Sequence, residues 1–255
     1  MIEVKNLTAS YDKNEKPVFE NLNFSLENKT FTALCGRNGS GKSTLLLLLA
    51  GIIPAGLKYS GDILIDGKSI FKMKRNQAAQ TISLLLQSES PVWNLTVRQF
   101  IETGLYSFGN MTQLQCNKEV DEALKIIGIP EFADKNVFNI SGGEFQKCRL
   151  ARCFVQKTPY MLFDEPAEKL DLPFQLNFLK QIQTLGKTVL FSIHDINTAS
   201  LFAQDFLLLD KGKIVHASRS EIFDTKVLSS AFETDAQIFT HPIKNVPQVL
   251  FQSNK

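Results

Sequence analysis

Three glycines, a lysine and a serine stand close together in "LCGRNGSGKSTLLLLLAG", Leu34 to Gly51. Their types and spacing suit the holding of an anion with several oxygens. Gly36, Gly39 and Gly41 let successive backbone N–H groups converge on a phosphate without Cβ atoms in the way. Gly36-x4-Gly41-Lys42-Ser43 is the pattern of a phosphate-binding loop, which needs a strand before it and a helix behind it. Thr30 to Leu34 reads as that strand and the run from about Ser43 as that helix, whose N-terminus adds a positive dipole end. Lys42 then supplies a mobile cation for the β- and γ-phosphates of a nucleotide, and the Ser43 hydroxyl can ligate Mg²⁺. The whole stretch of Gly36, Arg37, Asn38, Gly39, Ser40, Gly41, Lys42, Ser43 and Thr44 is expected to bind the nucleotide. The leucines that follow anchor the helix in the core, so that its N-terminus is rigid beneath the phosphates.

A second acidic position agrees with the first. In "YMLFDEP" apolar residues carry the chain through a buried strand and leave Asp164 and Glu165 at its carboxyl end. Ligands of open α/β sheets gather at that edge. Asp164 is placed to hold Mg²⁺, directly or through water, and Glu165 to act as general base on an attacking water.

These residues need a scaffold, and the chain reads as one. "IEVKNLTASY", "VFENLNFSL" and "TFTALCG" are expected strands. "SGDILIDGKSI" predicts a hairpin around Asp66-Gly67, and "TISLLLQ" a continuous apolar strand. From about Ser88 to Gln156 strand signals vanish and apolar residues recur at helical spacing: Val97, Phe100 and Ile101, then Val120, Leu124 and Ile127. "PYMLFDEP" and "KTVLFSIHD" predict buried strands with a helix, Pro173 to Leu185, between them. That alternation predicts a parallel sheet with right-handed crossovers. "DFLLLDKGKIVHA" predicts a hairpin turning at Lys211-Gly212, and one or two short helices and possible edge strands remain for the rest.

Composition narrows the function. The 255 residues are 44% apolar and 21% charged, ordinary values for a globular protein. A net charge of +2 offers no nucleic-acid surface and no polybasic membrane anchor. Four cysteines without metal-ligand spacing read as buried reduced thiols. The N-terminus lacks the apolar core of a secretory signal. The longest apolar run falls far below the roughly 20 residues needed to cross a bilayer, so a membrane role would come through another subunit.

"ISGGEFQKCRLAR", Ile140 to Arg152, opens on a capping box, Ser141-x-x-Glu144. Two adjacent glycines in a first helical turn weaken the helix, but they suit a backbone that must approach a ligand closely. Here the chain resembles the ATP-binding cassette (ABC) ATPases, whose signature is typically Leu-Ser-Gly-Gly-Gln; this copy has isoleucine first and Glu144 last. The resemblance covers essentially the whole chain with the motifs in family order. It implies an α/β fold with a P-loop core of mostly parallel strands, an N-terminal antiparallel β subdomain and a helical signature subdomain. The single domain of residues 1–255 would divide into 1–87 and 157–255 for the core and 88–156 for the helical part.

The resemblance also implies roles. Tyr11 would stack on adenine. Gln87 would ligate Mg²⁺ and link the nucleotide to a transport subunit. His194 would hydrogen-bond the γ-phosphate. Ser141, Gly142, Gly143 and Glu144 would bind the ATP held by a second copy, since family members act as head-to-tail dimers. "EKLD", Glu168 to Asp171, lies at the seam between copies, with Glu168 and Lys169 unusual there.

The expected activity is Mg²⁺-dependent ATP hydrolysis coupled to transport, with ATP and Mg²⁺ as cofactors. The expected partners are a separate transmembrane permease, a second ATPase copy and a substrate-binding protein, with no nucleic acid. The expected place is the cytoplasmic face of the plasma (inner) membrane. ATPases of DNA repair or chromosome architecture need a long coiled-coil insertion, translation factors two cassettes, and a P-loop kinase would lack "SGGE". A degenerate nucleotide-binding scaffold would be expected to lose Glu165 or His194. "YSGDILIDGKSI", "LTVRQFIETGLY", "SGGEFQKCRLARCF" and "IHDINTA" resemble importers of iron-siderophore, haem and cobalamin chelates; zinc or manganese importers are the alternative.

Overall fold

The computed structural model describes residues 1–11 and 16–252. Three strands open the chain: β1 (Ile2–Ser10), β2 (Phe19–Leu26) and β3 (Phe31–Cys35). The phosphate-binding stretch then leads into α1 (Lys42–Leu49). β4 (Lys58–Ile65) and the two-residue β5 (Lys68–Ser69) form the hairpin at Asp66-Gly67. α2 (Arg75–Thr81) precedes β6 (Ile82–Leu85). The middle third is helical, with α3 (Val97–Glu102), α4 (Gln113–Ile127) and α5 (Gly142–Val155). β7 (Tyr160–Phe163), α6 (Leu172–Gln183), β8 (Thr188–Ser192) and α7 (Ile196–Phe202) follow. The chain closes with the hairpin β9 (Asp205–Asp210) and β10 (Lys213–Ser218), then α8 (Arg219–Ile222), α9 (Thr225–Phe232), β11 (Asp235–Thr240) and β12 (Pro247–Gln252).

The central sheet has the order β10-β9-β3-β8-β7-β6. Its strands pair in parallel except at β10, which returns antiparallel from β9. A second sheet, β2-β1-β4-β5, is antiparallel.

Alternation along the central strands sorts the core into two layers. Phe31, Ala33, Cys35, Met161, Phe163, Val189, Phe191, Phe206 and Leu208 face the helical segment. Leu34, Leu162, Leu190, Leu207 and Leu209 face α1 and the antiparallel sheet. Both faces are covered, which is why these strands read as unbroken apolar runs. Leu45, Leu46, Leu48 and Leu49 of α1 are fully buried in the second layer, so the leucine run anchors this helix as expected. Cys35, Cys148 and Cys153 are buried free thiols; Cys116 is only half-buried. No helix among the described residues is long and apolar enough to cross a membrane.

Candidate active site

The loop after β3 is built on backbone positions that side chains would block. At Gly36 (φ +147°) a Cβ would lie 2.4 Å from the Leu209 carbonyl oxygen. At Gly41 (φ +101°) it would lie 2.7 Å from Val18 Cγ1 and 2.8 Å from Phe19 Cε1. Gly41 is also the N-cap of α1, with no side chain capping the first turn, so these N–H groups remain free for an anion. The Ser40 hydroxyl is buried without a hydrogen-bond partner, a donor that an arriving oxyanion would satisfy.

Lys42 crosses beneath this loop. Its Nζ donates to the Gly36 carbonyl at 2.8 Å and the Arg37 carbonyl at 3.1 Å. Burial is the largest influence on it and lowers its pKa, while Glu165, Asp164 and Cys35 pull the other way. A buried ammonium held only by neutral carbonyls is set to gain from a polyphosphate.

Asp164 and Glu165 leave β7 at its carboxyl end. Glu165 takes a left-handed backbone (φ +50°), uncommon for a residue with a side chain. Ser192, at the end of the neighbouring β8, holds that turn: the Glu165 N–H donates to Ser192 Oγ at 2.8 Å, and Ser192 Oγ donates to Asp164 Oδ1 at 2.6 Å. The Glu165 carboxylate reaches both flanking loops. Its Oε1 lies 2.6 Å from His194 Nε2, and its Oε2 accepts from Gln87 Nε2 at 3.0 Å. Burial, the largest influence, pushes the Glu165 carboxyl above its ordinary value; Asp164 and Glu168 add to this, and His194 and Lys42 oppose it. A carboxyl so placed holds a proton more readily than an ordinary glutamate, which suits a proton acceptor.

A cleft of about 330 Å³ joins these parts, lined by Tyr11, Val18, Asn38, Gly39, Gly41, Lys42, Ser43, Thr44, Gln87, Glu165 and His194. Tyr11, just past the end of β1, is 47% exposed. Gln87 stands two residues beyond β6, in the turn rather than in the strand.

The remaining expected residues lie outside this cleft wall. Gly36 and Arg37 contribute their carbonyls to Lys42, while the Arg37 guanidinium pairs with Glu233. Asp164 is buried behind Glu165. Ser141, Gly142, Gly143 and Glu144 lie at the start of α5. There the capping box is formed: the Ser141 N–H donates to Glu144 Oε2 at 2.7 Å, and the Glu144 N–H donates to Ser141 Oγ at 3.2 Å. A Cβ on Gly142 would meet nothing within 4 Å, whereas one on Gly143 would lie 3.0 Å from the Lys169 carbonyl oxygen. The first glycine therefore presents an open backbone face, and the second packs on the "EKLD" turn.

Sequence reasoning missed Ser192, although a serine closing an apolar strand beside a histidine is a readable signal. The segment from Gln87 to about Phe100, expected from the sequence to receive a membrane subunit's cytoplasmic helix, lines a groove with Glu89, Pro91, Trp93, Leu95, Phe100 and Arg152. Val92 also lines it, and Val92 and Trp93 are 78% and 69% exposed.

The comparisons with known proteins point the same way. Residues 19–168 match the ABC transporter family. The petrobactin import ATP-binding protein FpuD of Bacillus anthracis is 32% identical, over 96% of this chain and 91% of its own length. The iron(3+)-hydroxamate import ATP-binding protein FhuC of Bacillus subtilis is 31% identical, over 92% of this chain and 90% of its own. In fold, the chain superposes on a metal-chelate type ABC transporter in an inward-facing conformation with a TM-score of 0.82, at 24% identity, covering 99% of this chain and 97% of that one. It superposes on a dimeric ATP-binding cassette bound to ADP and Pi with a TM-score of 0.77, at 25% identity, covering 86% and 98%. Phosphate loop, acidic strand end and signature turn thus stand together in a chain that matches along most of its length, and the protein belongs to the ABC transporter family as an ATP-binding, ATP-hydrolysing cassette.

Proposed function

We propose that this chain is the ATP-hydrolysing subunit of an importer of metal chelates, iron-siderophore, haem or cobalamin complexes, acting as a homodimer beneath a separate membrane permease at its cytoplasmic face. A substrate-binding protein would complete the system. The observation that carries the hydrolytic part is the Glu165 carboxylate held between Gln87 and His194 above the Lys42 cradle. The chelate class is supported by the import proteins to which the chain is similar along nearly its whole length.

Hydrolysis follows from positioning and charge neutralisation. The loop N–H groups and Lys42 hold the β- and γ-phosphates, and Tyr11 receives the adenine. Water attacks the γ-phosphorus, its proton passes to Glu165, and the bond to the bridging oxygen breaks so that ADP leaves with the electron pair. His194 orients Glu165 and meets the γ-phosphate. The donors near the phosphates, the Ser43 hydroxyl, the Gln87 amide oxygen and the Asp164 carboxylate, are hard oxygens suited to Mg²⁺. Mg²⁺ keeps much of its shell as phosphate oxygen and water, so few protein ligands are required. Bound there, Mg²⁺ would neutralise charge on the β- and γ-oxygens. The open Gly142 face would close on the nucleotide of the second copy.

Deletion of the gene tests the reading. Growth should fail when a chelate is the sole source of iron or cobalamin, and be normal on free metal. Unimpaired chelate uptake with a zinc or manganese defect would favour the alternative importer class instead.

A further inference from the structure

A buried charge cluster lies between the signature turn and Glu165, and hydrolysis as derived above makes no use of it. Arg149 stands on α5 about two turns from its start, with its side chain only 3% exposed. Its Nη1 donates to Gln146 Oε1 at 2.5 Å and to the Gln87 carbonyl at 3.4 Å. Its Nη2 donates to the Leu86 carbonyl, and its Nε to Glu89 Oε2 at 3.3 Å. Glu89 also receives both guanidinium ends of Arg152, at 2.8 and 2.5 Å. Gln146, itself buried, donates from Nε2 to the Pro166 carbonyl at 3.1 Å.

Three chain segments therefore meet at one guanidinium: the turn carrying Gln87, the signature helix and, through Gln146, the residue after Glu165. An apolar side chain would fill this volume without the desolvation penalty that a buried arginine carries. Charge balance does not account for the arginine either, because Arg149 and Arg152 share the one carboxylate of Glu89. What distinguishes arginine is a planar fork with several donors in fixed directions. Here those directions reach backbone carbonyls beside the catalytic glutamine.

We propose that Arg149 is a positioning residue for ATP hydrolysis. It locks the Leu86 and Gln87 carbonyls to α5 and, through Gln146, ties α5 to the turn after Glu165. Gln87 and Glu165 then move as one unit with the signature helix. This inference rests on the assignment of Gln87 and Glu165 to hydrolysis.

The test compares Arg149→Met, Arg149→Lys and the double variant Arg149→Met/Glu89→Met in the full-length chain. Melting temperature, ATP Kd and kcat are read for each. Arg149→Met should bind ATP within about twofold of the wild type and lose roughly tenfold or more in kcat, the split expected when positioning fails and the phosphate cradle stays intact. Arg149→Lys keeps the charge without the fork and should recover only part of kcat. The double variant removes the carboxylate together with the buried cation and leaves Arg152, 23% exposed, to water; kcat should not recover in it.

Recovery of kcat to within about threefold of wild type in the double variant would overturn the proposal, since the cluster would then serve stability alone. So would a parallel loss of Kd and kcat in Arg149→Met, an unchanged kcat, or failure of both methionine variants to fold. Glu165→Gln serves as the separate control. Unaltered turnover in that variant would remove the base assignment without changing what the Arg149 series reports about α5.

Discussion

His194 Nε2 lies 2.6 Å from Glu165 Oε1, so the histidine after β8 and the carboxylate after β7 are in direct contact. With Gln87 on Oε2, both oxygens of the candidate base are engaged. Each oxygen keeps a second acceptor site, so an attacking water can hydrogen-bond the carboxylate while His194 and Gln87 hold it in place.

The pH dependence of turnover follows from the same carboxylate. Burial and Asp164 raise the Glu165 pKa above its ordinary 4.5. A base must be ionised to accept a proton, so kcat should fall as pH drops through that raised value, and the acid limb should lie above the ordinary carboxylate range. A limb at or below 4.5 would contradict the assignment. Stability carries the opposite sign. Between the unfolded and the raised folded pKa the native state binds more protons, so this group's contribution falls as pH rises. Glu165→Gln should therefore gain stability relative to wild type as pH rises through that window, as denaturant melts at several pH values would show.

Lys42→Met separates folding from nucleotide binding. The ammonium is buried against two carbonyls, with no carboxylate in hydrogen-bonding contact. Its removal should leave the nucleotide-free protein folded. In wild type, ATP at about 100 times its Kd should add roughly 2.7 kcal/mol of stability. That gain should vanish in the variant; a retained thermal shift with ATP would show that the cradle lies elsewhere.

Gly142→Ala sets helix stability against assembly. No atom lies within 4 Å of the added Cβ, and alanine favours a helix over glycine by up to about 1 kcal/mol. The isolated chain should be as stable as wild type or more so. Hydrolysis should nevertheless fall at least about tenfold if that open face receives the second copy's γ-phosphate, because the added methyl would hold the phosphate away from the backbone N–H. A more stable chain with full activity would rule out the shared site.

Ser192→Ala removes the hydroxyl that joins Asp164 to the Glu165 backbone. Two buried hydrogen bonds are lost, and the variant should be destabilised by about 1–3 kcal/mol. The left-handed turn at Glu165 should relax, lowering kcat while ATP affinity stays near wild type. Equal turnover in the two proteins would show that the turn holds without this bridge.

The chemistry was easier to read than the scaffold beneath it. Gly36 to Ser43 and Asp164-Glu165 are legible because a phosphate loop and a buried strand end each restrict residue type at successive positions. The central strands are legible for a related reason: covered on both faces, they leave apolar runs that polar turns cannot imitate. α2 was not legible. "RNQAAQT" buries none of its residues fully and so carries no apolar stripe. β5 spans two residues, too few for any period to show, and only the Asp66-Gly67 turn made its hairpin legible. β11 and β12 pair only with each other and keep Phe239, Leu250 and Phe251 at least 41% exposed, so their pattern was weak. Glu89, Gln146 and Arg149 look like surface residues in the sequence, because nothing local reveals that the turn after β6 folds onto α5.

Trp93 is the protein's only tryptophan and stands 69% exposed in the segment between Gln87 and α3. The molecule's intrinsic indole fluorescence therefore comes from one point, in the groove expected from the sequence to receive a membrane subunit. Exposed to water, that indole emits at long wavelength; covered by an apolar helix, it emits at shorter wavelength. The protein carries its own optical probe for contact at that surface, and no label has to be introduced to follow it.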